Sequence, residues 1–172
     1  MISRINILLF LGCIISLTVV SDAQNKSTVK KTGQNVKIEA KVAKGTFEVK
    51  VTPLAAEENV GDPTIARLAL AKKFSGDLTG SSKGQMLGIG TDVKDSGGYV
   101  AAERVTGTLE GRSGGFSLQH VGTMQAGKYE MIITVVPDSG SGELAGISGR
   151  MKIIIEGGRH AYEFEYFLPK PK

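Results

Sequence analysis

The chain has 172 residues, a formal net charge of +4 and one cysteine, so its stability must come from an ordinary apolar core, which this length builds as one domain. A disulfide framework and a multi-thiolate metal site are excluded. Nucleic-acid binding is not expected either, because no basic stripe interleaved with aromatics is visible.

Met1 to Asn6 carries one positive charge, Arg4, and an apolar run from Ile7 to Val20 follows. Ser21-Asp22-Ala23 then places small residues at −3 and −1 of a cut after Ala23. This pattern predicts a cleaved signal peptide over residues 1–23 and an exported product, periplasmic or extracellular. The run is shorter than the roughly 20 residues of a membrane span, so no stable insertion is expected after cleavage. A lipoprotein box at Leu11-Gly12-Cys13 would leave Ile14 to Val20 exposed on the product, so Cys13 is assigned to the discarded peptide. Residues 24–34, with Lys26, Lys30 and Lys31, predict a flexible, solvated leader. Asn25-Lys26-Ser27 fits a glycosylation acceptor, which matters only in a eukaryotic secretory pathway.

Residues 35–172 are expected to form the folded domain, because apolar and polar residues alternate there with period two between Gly-rich turns. Val36, Ile38, Ala40 and Val42 share one parity, while Phe47, Val49 and Val51 share the other. The change near Lys44-Gly45 predicts a β-bulge in a long first strand. Further strands are predicted at 64–74, 77–93, 99–110, 115–124, 128–136, 143–156 and 160–168. Eight strands with short connections predict an all-β fold, a single antiparallel up-and-down β-barrel. A two-sheet sandwich has the same pattern.

Several stretches carry a resemblance. They are Gly45-Thr46-Phe47-Glu48-Val49, Phe74-Ser75-Gly76-Asp77-Leu78-Thr79-Gly80 and Glu103-Arg104-Val105-Thr106-Gly107, then the runs from Gly111 to His120 and from Ser139 to Gly149. In order and spacing they resemble the family called domain of unknown function 3224. The resemblance implies a barrel similar to that of allene oxide cyclase, and it implies no activity, since the family has none assigned.

Strand parity selects the inward polar residues. Glu103 shares a face with Tyr99, Ala101, Val105 and Leu109, and His120 shares one with Phe116 and Leu118. A two-residue turn at Gly111-Arg112 would set Glu103 directly opposite His120. Displacing the turn by one residue at each end sets His120 against Val105. His160 and Tyr162 share the apolar parity of the last strand, and Lys72 lies on the inward parity of the second, placed to snorkel to a barrel mouth.

A Glu–His pair in an apolar barrel has the chemistry of proton transfer. It equally has the form of a structural hydrogen bond that holds strand register. The candidate pocket is Glu103, His120, His160 and Tyr162, with no catalytic residue assigned. Glu103, His120 and His160 also supply the types of a two-histidine, one-carboxylate metal set, but nothing local brings His160 to the others, so no metal is expected. Arg104 and Arg112 are expected to be solvated charges. Ser139 to Gly142 lacks the spacing of a nucleophile elbow and Gly76 to Gly84 that of a phosphate loop, so no cofactor is expected.

Three functions fit. The first is an exported barrel holding a small, largely apolar molecule, since eight strands enclose room for one small ligand. The second is a cyclase or isomerase using Glu103 and His120. The third is a structural or interaction barrel filled by its own side chains. Assembly as a homo-oligomer is compatible with all three.

Overall fold

In a computed structural model, the structure describes residues 39–55, 61–62 and 64–170. The chain divides into two units, Met1–Val36 and Lys37–Lys172. The first, with the signal-peptide and leader expectations, lies outside the described residues.

The strands are β1 (Lys41–Pro53), β2 (Ile65–Gly76), β3 (Leu78–Gly90), β4 (Gly97–Leu109), β5 (Arg112–Gln125), β6 (Lys128–Val135), β7 (Ser141–Gly142), β8 (Ser148–Glu156) and β9 (Arg159–Phe167). Sequential antiparallel neighbours run from β1 to β6, then through β8 and β9 back to β1, and the β4–β5 pairing leaves the eight-stranded ring closed. The ninth strand, β7, pairs Gly114 with Gly142 and Gly115 with Ser141, beside β5 below the point where β6 ends.

Three expectations about strand detail are corrected. The first strand has no parity change: Ala43 and Phe47 are buried, Gly45 and Val49 half-buried, and Val42 is exposed. Its ladder to β9 runs through Gly45 without interruption and its ladder to β2 begins there, so no bulge forms among the described residues. The predicted strand at 143–156 begins only at Ser148. Residues 143–147 turn instead, which lets Leu144 and Ile147 enter the core at one end of the barrel. The β4–β5 turn sits at Glu110-Gly111, where φ is 50° and 75°. Positive φ at both central residues suits the type I′ hairpin, whose twist matches the strands.

The two ends differ. At the end closed by the β2–β3 and β4–β5 turns, Leu78, Leu109, Phe116, Leu144, Phe164 and Tyr166 are fully buried. Phe164 stacks on Phe116 and Tyr166 with ring centroids 5.4 and 5.2 Å apart. Toward the other end the inward side chains are only half-buried: Leu68, Met86, Tyr99, Met124 and Met131. One end is thus a packed plug, and the other an apolar ring that keeps contact with water.

Candidate functional site

Between plug and ring lies a belt of four buried polar side chains on four consecutive strands: Lys72 (β2), Ser82 (β3), Glu103 (β4) and His120 (β5). Strand alternation turns all four inward, and the ladders set their heights. Lys72 pairs with Ser82 directly, whereas Glu103 pairs with Gly84 and Leu118. His120 lies opposite Ala101, so it meets Glu103 diagonally. This corrects both expected registers, because the turn closes one residue earlier than Gly111-Arg112 and slides the partner by two. A slip of two keeps His120 on the inner face, which is why the contact survives.

Glu103 is the hub. Lys72 Nζ donates to its Oε1 at 2.7 Å and Ser82 Oγ donates to its Oε2 at 2.6 Å. His120 Nε2 lies 2.9 Å from Oε1. Burial alone would push the Glu103 carboxyl up. The His120 hydrogen bond, the Lys72 charge and hydrogen bond, and the Ser82 hydroxyl outweigh it and hold the group at about 2. The ionised carboxylate only accepts, so His120 Nε2 carries the hydrogen. His120 Nδ1 makes no hydrogen bond to a described residue. Lys72 Nζ also stands 5.1 Å from the centre of the Phe47 ring, a cation–π contact. The ammonium is therefore engaged inside the barrel and does not reach toward its mouth, which corrects the snorkelling expectation.

Of the four candidate pocket residues, only Glu103 and His120 meet. His160 is half-buried, with its ring 5.2 Å from that of Phe47, on the wall rather than in the belt. Tyr162 is fully buried, and its hydroxyl accepts from the Leu78 N–H at 2.9 Å and donates to the Leu78 carbonyl at 3.3 Å. It latches the β2–β3 turn. Among the described residues no three His, Cys, Asp or Glu side chains gather in a metal-binding group.

Sequence reasoning missed Ser82, whose only signal was its inward parity between Gly80 and Gly84. Arg104 is exposed, as expected, and Arg112 half-buried, and both also act as anchors. Arg104 donates to the Ser139 carbonyl at 2.5 Å and to Ser141 Oγ at 2.6 Å. Arg112 donates to the carbonyls of Pro169, at 2.8 Å, and Glu143. Together they fasten the segment that carries Leu144.

The surface is hollowed beside His160. The β1–β9 ladder ends at Phe47–His160, while β1 continues along β2 to Pro53. There an open depression of about 510 Å³ is lined by Phe47, Val49, Arg159 and His160 among others, and outward Thr46, Glu48, Lys73 and Ser75 also line it.

The profile of the family described as protein of unknown function (DUF3224) matches residues 43–166. A crystal structure of a DUF3224 protein of unknown function from Shewanella oneidensis MR-1 is 45% identical. The match covers 77% of this chain and 100% of that one, with a TM-score of 0.69. No curated protein matches.

Proposed function

The chain belongs to the DUF3224 family of proteins of unknown function, and we propose that it is an exported barrel holding one small, mostly apolar molecule in its open half. Export rests on the charge, apolar run and small-residue exit of residues 1–23. One observation carries the binding reading. Three ionisable side chains are buried together where the packed plug gives way to the apolar ring. Burying charges costs several kcal/mol per ion before pairing, and an apolar filling would serve a merely packed barrel as well. A polar floor under an apolar ring instead suits a ligand with an apolar body and one polar end.

The floor also sets the chemistry of that end. Both Glu103 oxygens are occupied by donors from the protein. Lys72 has three N–H groups and spends one on Glu103. The ligand end is therefore an acceptor, such as a carbonyl or carboxylate oxygen, addressed by the ammonium.

Native mass spectrometry of the protein purified from its own cells, followed by denaturing analysis, tests this. A stoichiometric apolar molecule with an acceptor group is expected, lost in Lys72→Met. A clean apo mass, with no thermal shift from any long-chain acid or ketone tried, would favour a barrel filled by its own side chains.

A second reading is proton transfer in a cyclase or isomerase, favoured by His120, which Glu103 orients while Nδ1 has no partner among the described residues. In that case Glu103→Gln abolishes conversion of the bound molecule. Unchanged conversion removes Glu103 from the chemistry.

A further inference from the structure

We propose that the outer wall of β3 to β6 is a self-association surface on which a second copy of this chain docks. Four outward aliphatic residues lie side by side across it: Leu87 pairs with Val100, Val100 with Val121, and Val121 with Ile132. Their exposures are 46%, 49%, 52% and 66%, so the stripe is bare among the described residues. Of the outward residues one step above and below it, only Glu130 is charged, and Ile89 adds a further exposed aliphatic. The opposite wall is unlike it. There Lys44, Lys50, Lys152 and Glu163 face outward, with Lys44 and Glu163 paired at 2.8 Å. The uncharged patch is local: two steps along the same strands Lys83, Arg104 and Lys128 face outward.

The occupant is a second copy because the stripe complements itself. A two-fold axis parallel to the strands, between β4 and β5, lays Leu87 on Ile132 of the second copy and Val100 on Val121. It brings Glu130 onto Ile89, so no like charges meet. Four strands about 4.8 Å apart and three outward positions about 6.8 Å apart give a footprint on the order of 400 Å². That is about half of what a standard interface uses per partner, so the dimer is weak and reversible.

Sedimentation equilibrium of the chain, purified as its own cells process it, is the test, run from about 5 µM to about 1 mM. A monomer–dimer equilibrium is expected, weakened at least tenfold by Val121→Lys and unchanged by Thr46→Lys on the opposite wall. Circular dichroism and melting check that both variants fold; if Val121→Lys does not, Ile132→Lys at the more exposed end replaces it. A monomer at every concentration overturns the proposal, whether the stripe then proves bare, covered by the chain's own residues before Glu39, or bound to lipid vesicles. Association that survives both Val121→Lys and Ile132→Lys also overturns it.

Discussion

Gly84 stands directly across the β3–β4 ladder from Glu103, with no room for a side chain between them. A Cβ at position 84 would lie 2.6 Å from the Glu103 Cβ and hard against the Ala102 carbonyl. The carbonyl is backbone and the Glu103 Cβ is bonded directly to backbone, so the strands must part and Glu103 must shift from its donors. Gly84→Ala is expected to destabilise the fold by about 1–3 kcal/mol in urea unfolding, through overpacking. Stability equal to wild type would mean that β3 and β4 separate at no cost.

The Lys72–Glu103 pair predicts strong non-additivity. The two side chains are 5% and 0% exposed, so either single replacement leaves a charge without its partner in the barrel. Lys72→Met and Glu103→Gln should each cost about 3–5 kcal/mol. The double variant Lys72→Met/Glu103→Gln should cost less than the sum of the two singles, since it leaves no unpaired charge, although Ser82 and His120 still lose their carboxylate acceptor. Single costs that simply add in the double variant would contradict a coupled pair.

Acid sensitivity follows from the same carboxyl. Its pKa is about 2 in the fold, against 4.5 for an ordinary glutamate. A folded pKa below the unfolded one gives stability that is complete above about pH 4.5 and is lost as pH falls toward about 2. The loss is on the order of 3 kcal/mol. Urea midpoints from pH 6 to pH 2.5 should show the stability gap between wild type and Glu103→Gln narrowing below pH 4.5. Parallel curves over that range would mean that folded Glu103 is not held ionised.

Tyr162 is expected to matter for folding and not for binding. Tyr162→Phe leaves the Leu78 N–H and carbonyl without their side-chain partner at the closed end, at a cost of about 1–3 kcal/mol. Hydrogen exchange at the Leu78 amide should quicken, while the amount of co-purified ligand stays the same. Slow exchange at Leu78 in the variant would show that another group takes over the latch.

The architecture was legible in the amino-acid sequence because a strand writes its two faces into alternate residues. Period-two patterning between Gly-rich turns determined an antiparallel all-β domain, barrel or sandwich, and parity alone turned Glu103, His120 and Lys72 inward, while closure of the ring was decided by tertiary structure. What joins them was decided only by tertiary structure. The Glu103 contacts to Ser82 and Lys72 span 21 and 31 positions, and Tyr162 reaches Leu78 across 84. Which residues meet at such separations depends on ladder register, and for Glu103 and His120 that register depended on a turn closing at Glu110-Gly111. Parity is a property of each strand by itself, whereas register belongs to pairs of strands. The sequence could therefore place His120 on the inner face but not opposite Ala101, and it could count the arginines but not seat Arg104 and Arg112 on the carbonyls of a distant loop.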